Sequence, residues 1–226
     1  MLSDLATAAH GPHSSALEVG WRAFVDRSRD GGVTWQRSPY FDVADTHTLP
    51  SRKGRPASSP QQVGLIQPTI WASSHADVHV LCRSDGGALY RADSRDGGIS
   101  WSPAVRTSLP NNNSGIDAVR LASGRVVLLH NPVGSNWGQR CPLRLSISED
   151  NGHTFPRGVD LETELAPPFE KGEYSYPAVV AWPDQQGVTV TYTWHRVRIK
   201  CVLISEAEVL ATAKATATEE AVESKL

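Results

Sequence analysis

Three copies of one short pattern constrain this chain more than any other feature: SRDGGVTW at 28–35, SRDGGISW at 94–101 and SEDNGHTF at 148–155. Each reads Ser-x-Asp-x-Gly-x-(Thr or Ser)-aromatic. The aspartate can accept backbone N–H groups in an Asx-type turn, while the glycine supplies a positive φ. The aromatic is then expected to drop back into the core, so Trp35, Trp101 and Phe155 should pack between sheets. Asp30, Asp96 and Asp150 lie 66 and 54 residues apart, which leaves room for about one four-stranded sheet per interval. A turn repeated at that period predicts repeated antiparallel sheets arranged as a propeller.

The pattern is the Asp-box, or BNR repeat, and over residues 21–204 the chain resembles the sialidase superfamily of β-propellers. The resemblance implies an all-β fold, six-bladed in the family, with the box aspartates on outer turns away from substrate. Blades of about 45–55 residues fit only about four times into 21–204. The expectation is therefore the C-terminal four or so blades of such a propeller, as a fragment or short isoform or with its missing blades supplied from elsewhere. An open arc leaves strand edges and one blade face uncovered, so self-association is expected as well.

With 226 residues, a formal net charge of −2 and 39% hydrophobic residues, the composition is that of a globular domain with no electrostatic footprint for nucleic acid. No apolar run approaches the roughly 20 residues that cross a bilayer, and no basic-then-apolar leader opens the chain. Neither a nucleic acid nor a membrane is an expected partner. Cys82, Cys141 and Cys201 are too scattered for a disulfide framework or a CxxC zinc site, and the eight histidines form no HExxH pair. No metal and no cofactor is expected.

Residues 1–20 are polar and without period, and read as a loose lead-in. Residues 21–204 read as the partial propeller. Strands are expected at 21–25, 35–41, 66–72, 78–83, 88–94, 99–101, 117–121, 126–130, 141–148, 176–182, 188–194 and 198–204, with connections at 42–63 and 156–172. In 141–148, Leu143, Leu145 and Ile147 alternate with Arg144, Ser146 and Ser148. Residues 205–226, rich in Ala, Glu, Thr and Lys, read as a tail that is helical and then loose. It ends in Ser224-Lys225-Leu226, which spells the peroxisomal import address; the expectation is a peroxisomal protein if the source is eukaryotic, and a cytoplasmic one otherwise.

The resemblance also implies a chemistry. A sialidase grips the carboxylate of a terminal sugar acid with arginines, whose planar forks bind it bidentately. It attacks the anomeric carbon with a tyrosine, because a neutral phenol does not repel that carboxylate. The run Glu173-Tyr174-Ser175-Tyr176-Pro177-Ala178 looks like the segment that holds this tyrosine, with Tyr174 as the nucleophile and Tyr176 as the alternative. Arg140, eight residues before Ser148, is similar in placement to the family's third carboxylate-binding arginine, and Arg83, closing HVLCR, to the second. Sixteen residues before Arg83 the resemblance implies the glutamate that activates the tyrosine. Gln67 stands there instead, and an amide does not accept a proton at neutral pH.

In the loop NNNSGIDAVRL, Asn113 is expected to face the axial pocket, and Asp117 to act as general acid/base, to position Arg140 or to cap a strand. His195, Arg196 and Arg198 follow the aromatic run TYTW and could touch an acidic sugar. The family's first arginine and its acid/base aspartate are expected in N-terminal blades that this chain does not contain. Three readings follow: a sialidase-like glycosidase on glycans, incomplete and weakly active or inactive as this chain; a non-catalytic glycan-binding propeller; and a purely structural propeller. Gln67 favours binding, and the tyrosine favours catalysis.

Overall fold

The computed structural model describes residues 21–44, 63–163 and 172–212, together with the backbone of 6–10 and 214–215. In chain order its elements are β1 (Ala6–His10), β2 (Ala23–Arg27), β3 (Gln36–Arg37), β4 (Leu65–Ala72), β5 (Val78–Ser84), β6 (Ala88–Ser94), β7 (Val105–Pro110), β8 (Asp117–Arg120), β9 (Val126–His130), β10 (Leu143–Ser148), β11 (Arg157–Glu162), β12 (Tyr174–Ala181), β13 (Gly187–Trp194), β14 (Arg198–Ser205), α1 (Glu206–Thr212) and β15 (Lys214–Ala215). The strands form four antiparallel sheets: β1-β2-β3, β4-β5-β6-β7, β8-β9-β10-β11 with β15 added outside β11, and β12-β13-β14. The first strand of each sheet packs on the first strand of the next, β1 on β4, β4 on β8 and β8 on β12. The sheets therefore radiate as blades I to IV of an all-β, partial propeller.

The core lies between blades. Ala23, Val25 and Phe41 of blade I meet Leu65, Val80 and Tyr90 of blade II. Trp71, Leu81 and Leu89 of blade II meet Ile116, Val126 and Leu128 of blade III. Leu129, Leu143 and Leu145 of blade III meet Tyr174, Val190 and Tyr192 of blade IV. A sheet flanked on both sides buries both faces, which is why β9 reads as the unbroken apolar run VVLL, 126–129, rather than as an alternating strand.

Each box closes its turn as its residue types dictate. In the first, Asp30 Oδ1 accepts from Ser28 Oγ (2.8 Å) and Thr34 N (2.9 Å), and Gly32 N donates to Ser28 Oγ (2.8 Å). The second and third repeat this with Ser94, Asp96 and Ser100 and with Ser148, Asp150 and Thr154. The hydrogen bonds from Thr34 and Ser100 hold the Asp30 and Asp96 carboxyls well below the usual aspartate range. The glycines carry φ of 91°, 82° and 82° at positions 32, 98 and 152. At Gly152 there is also no room for a side chain, because a Cβ would stand 2.6 Å from Trp71 Cζ2.

A box docks on the blade before its own. Arg27 Nη1 of blade I donates to Gly97 O of the second box (3.1 Å). Arg91 Nη1 and Trp71 Nε1 of blade II donate to Asn151 O and Asn151 Oδ1 of the third (2.9 and 3.0 Å). Trp101 accordingly packs against Phe41 in the I–II core, and Phe155 lies in the II–III core. The expectation for Trp35 is corrected: it is 45% exposed, since no blade precedes blade I among the described residues.

Other corrections have local causes. Residues 99–101 close the second box, with Ile99 N and Ser100 N on Asp96 Oδ1, so the outer strand starts at Val105. The lead-in contains β1, whose sequence ATAAH carries no strand signal and which is ordered by antiparallel pairing with β2. The connection at 156–172 contains β11, formed on the edge of β10. The tail begins with a helix as expected, α1, whose Val209 enters the III–IV core, but it then adds the short strand β15 on β11. No helix among the described residues is long and apolar enough to cross a membrane. Most of the connection at 42–63, and the tripeptide 224–226, lie outside the described residues.

Two stability predictions follow from this packing. Phe155→Ala should lower unfolding stability by about 3–5 kcal/mol and Trp35→Ala by under about 1 kcal/mol, read from denaturant midpoints. Buried His130, with Nε2 2.9 Å from Ser146 Oγ, has its pKa pushed down from 6.5 to about 4 by burial, aided by the Arg144 charge. The unfolded chain then binds a proton that the folded chain refuses between these two values. Stability should be unaffected by this group above pH 6.5 and should fall by about 3 kcal/mol on going down to pH 4. His130→Asn should remove that part of the slope in acid-titrated melts.

Candidate functional site

Two innermost strands share one defect. The β4–β5 pairing breaks between Ile66 and Thr69, and the β12–β13 pairing between Ser175 and Ala178. Each break holds a residue of positive φ followed by proline: Gln67 (φ 47°) before Pro68, and Tyr176 (φ 50°) before Pro177. Proline removes a ladder N–H, and a left-handed non-glycine residue costs on the order of 1–3 kcal/mol unless its surroundings fix it. Residues two apart on a strand normally share a face. Here the break turns Tyr176 outward, 51% exposed, while Tyr174 stays in the core at 1%. The Tyr176 ring rests on Gly115, where a Cβ would come 3.1 Å from Cδ1.

Arg83, near the end of β5, is 4% exposed. Its Nε donates to Asn113 Oδ1 (2.8 Å), its Nη1 donates to Gln67 Oε1 (2.7 Å), and its Cζ lies 5.9 Å from the Trp21 ring centre. Among the described residues no carboxylate pairs with it. Burial pulls its pKa down, as does the charge of Arg140, while Tyr176 opposes both. Arg140 approaches from the third blade with Cζ 5.1 Å from the Tyr176 ring centre. Burial raises the Tyr176 phenol pKa, but the hydrogen bonds and charges of Arg140 and Arg83 outweigh it and leave it below the usual tyrosine value.

Glu173 holds the arginine from behind. Its Oε1 accepts from Arg140 Nη1 (2.9 Å), Ser175 Oγ (2.8 Å) and Arg196 Nε (3.2 Å). Burial pushes its carboxyl up, yet Ser175, Arg140 and Arg196 bring it below the usual glutamate value. Tyr174 N donates to Arg140 O (3.0 Å), so the arginine backbone is fixed on the start of β12. The asparagine loop supplies the rest of the frame. Asn113 (φ 60°) donates from Nδ2 to Asn136 Oδ1 (3.0 Å), and Asn112 Nδ2 donates to Gly138 O (3.2 Å) and Gln139 O (2.7 Å), just before Arg140.

Two open spaces lie at the site, of which the second borders Tyr176. A cleft of ≈ 460 Å³ is lined by Trp137, Arg140, Glu173 and Arg196, and a groove of ≈ 580 Å³ by Tyr176, Thr193, Arg196 and Arg198. Trp137 is 65% exposed and meets Trp21 edge-on at 6.4 Å. Arg140 at the cleft and Tyr176 at the groove, with buried Arg83 behind them, bring positive charge that suits an anion, which guanidiniums can hold through charge-assisted bonds.

The residues expected from the sequence separate into two groups. Arg83, Arg140, Gln67 and Asn113 come together. Tyr174 does not join them: its hydroxyl lies 3.1 Å from His195 Nε2, inside the III–IV core, so the tyrosine that meets the arginines is Tyr176. Asp117 is a clasp between blades rather than an acid/base. Thr69 Oγ1 donates to its Oδ1 (2.9 Å) and Val179 N to its Oδ2 (2.9 Å), linking β4, β8 and β12 at the axis. Arg198 is exposed at the groove rim, stacked over Trp194 at 4.9 Å. The supporting role of Glu173, on Arg140 and Arg196, had no sequence signal. The exchange of Tyr174 for Tyr176 had one, the x-Pro repeated in β4 and β12. Among the described residues no cluster of three or more His, Cys, Asp or Glu could hold a metal ion.

Asp117→Ala should lower stability by about 1–3 kcal/mol in chemical denaturation, because it orphans the Val179 N–H near the axis and leaves the Thr69 hydroxyl only a long bond to Ala118 O. An unchanged midpoint would remove the clasp.

A family model described as BNR repeat-like domain matches residues 5–190. No curated protein matches the chain. Among solved structures the fold is similar to the NanB sialidase of Streptococcus pneumoniae, with a TM-score of 0.61, 14% identity, and coverage of 84% of this chain and 28% of that one. It is similar to a leech intramolecular trans-sialidase at TM-score 0.57 and 14% identity, covering 84% and 30%. A protein of unknown function from Dyadobacter fermentans gives 0.53 and 22%, covering 77% and 42%. The chain thus spans less than half the length of each, and at these identities the likeness is one of fold.

Proposed function

The chain belongs to the BNR repeat-like domain family, and from that premise we propose that this sialidase-type domain binds the carboxylate of a terminal acidic sugar of glycans, such as a sialic acid, without efficient hydrolysis. One observation carries the reading. Arg83 is a buried cation whose hydrogen-bond partners among the described residues are two amides, with the Trp21 ring 5.9 Å from its Cζ and no carboxylate beside it. A buried charge without a counter-ion is costly, and a carboxylate entering beside Tyr176 would supply that counter-ion while also meeting Arg140. The leech protein is complexed with 2,7-anhydro-Neu5Ac, and NanB with a substituted ethanesulfonate. Both of those ligands carry an anionic group.

The same geometry argues against fast turnover. For the phenol of Tyr176 to attack an anomeric carbon, its proton must go to a base. Gln67, which shares Arg83 with Tyr176, is an amide that holds none. Asp117, the other carboxyl considered for this work, has both oxygens engaged by blade contacts. A second reading, a slow glycosidase, is favoured by one feature: the two arginines ease loss of the Tyr176 proton without a base.

Calorimetry with a planar unsaturated sialic-acid analogue should detect binding that Arg140→Ala weakens by about 2–5 kcal/mol. Absence of any heat with the native chain would leave a scaffold. Gln67→Glu should raise hydrolysis of an aryl sialoside, whose leaving group needs no acid, by about 10²–10⁴-fold as a base is installed. Robust native turnover abolished by Tyr176→Phe would replace binding with catalysis as the function.

A further inference from the structure

The third box departs from the first two at one position. Where they carry Gly31 and Gly97 at φ 71° and 70°, it carries Asn151 at φ 59°. A side chain on a left-handed backbone persists where its surroundings hold it, and here the amide is held at both ends. Trp71 Nε1 can only donate, so it takes Oδ1 as its acceptor (3.0 Å) and turns Nδ2 toward His79 Nε2 (2.9 Å).

His79 stands opposite Trp71 in the β4–β5 ladder and opposite Asp93 in the β5–β6 ladder, and Ser73 reaches it from the end of β4. Three side chains of blade II therefore form a line. Ser73 Oγ is 2.7 Å from His79 Nε2, and His79 Nδ1 is 2.6 Å from Asp93 Oδ1. The neighbours fix the tautomer. An ionised carboxylate only accepts, so Nδ1 carries the proton; an amide NH2 only donates, so Nε2 is bare. Burial pushes the Asp93 carboxyl up, but hydrogen bonds from His79 and Arg91 outweigh it and keep it well below the usual aspartate range. Arg91 Nη2 also lies 3.2 Å from Nδ1, where its charge opposes an imidazolium that Asp93 favours. Ser73 is half-buried at the start of the exposed turn 74–76, and the Trp71 ring, 5.6 Å from that of His79, closes the inner side.

We propose that Ser73 is a nucleophile toward small carboxylic esters, with His79 as its base, Asp93 orienting that base and Asn151 Nδ2 donating to the oxyanion. A bare ring nitrogen within reach of a hydroxyl, with a carboxylate on the other ring nitrogen, is the arrangement that activates a serine. Ser73 Oγ bonds to the acyl carbon while its proton moves to His79 Nε2. A protonated Nε2 no longer accepts from Asn151, so Nδ2 is released toward the new oxyanion, where one donor contributes about 10²–10³ in rate. The proton then passes to the departing alkoxide as the ester C–O bond breaks. Water, deprotonated by His79, splits the acyl-serine into the acid and the free hydroxyl. Approach from the turn side alone suits a short acyl chain. The activity is separate from anion binding beside Tyr176 and uses none of its residues.

Incubation of the full chain with a fluorophosphonate, followed by intact mass and peptide mapping, should place one phosphonyl group on Ser73. Hydrolysis of p-nitrophenyl acetate should begin with a burst of p-nitrophenol. Ser73→Ala should abolish both signals, and His79→Gln should slow both by about 10²–10⁴-fold, with thermal melts showing that the variants are folded. If a variant does not fold, the mapped label on the native chain decides alone. The proposal is overturned by a native chain that takes no label, by a label mapped to Ser74 or elsewhere, or by folded His79→Gln that labels at the native rate.

Discussion

The hydrogen-bonded turn of each Asp-box, delivered onto the blade before it, is the contact on which the rest of the molecule depends. A single carboxylate satisfies the N–H groups and hydroxyl of its own loop, which frees the loop to point an aromatic and a glycine at a neighbour. The neighbour answers with an arginine, Arg27 or Arg91, bonded to the loop backbone. Stability is therefore shared between adjacent blades rather than held within each, as in other one-dimensional repeats. It also gives the arc a direction: the second and third boxes meet a preceding blade, whereas Trp35 of the first is 45% exposed with no preceding blade among the described residues.

That frame allows strain at the axis. Gln67 and Tyr176 hold left-handed backbones before proline, conformations that an isolated strand would relax. Asp117 prevents the relaxation by tying β4 and β12 to β8 at Thr69 and Val179, just beyond the two breaks. The result is a phenol aimed between two guanidiniums that come from different blades. Placement of this kind cannot come from a single loop, since Arg83, Arg140 and Tyr176 belong to blades II, III and IV.

The electrostatics of the site separate holding an anion from cleaving a sugar. Arg83 and Arg140 put positive charge where a carboxylate would sit, and Glu173 balances Arg140 and Arg196 but does not reach Arg83. Proton transfer is a different demand, and the amide at Gln67 meets it with a group that has no vacancy for a proton.

The division between sequence and tertiary structure follows the range of each interaction. The boxes, the strand alternation of Leu143, Leu145 and Ile147, and the number of blades were legible in the sequence because they rest on contacts within a few residues or on a fixed period. That Arg83, Arg140 and Gln67 lie near one another followed from the resemblance: Arg140 by its distance to the third box, Arg83 by closing the strand HVLCR, and Gln67 by its distance to Arg83. Three things were not legible. β1 and β11 form because an open strand edge stands beside them, so their own residues carry little signal. Asp117 looks like an acid in one dimension and proves to be a clasp, because Thr69 and Val179 lie 48 and 62 residues away. Tyr174 and Tyr176 are two residues apart and would share a face on a regular strand; only the bulge against β13, held by packing across the axis, decides that one is core and the other is site.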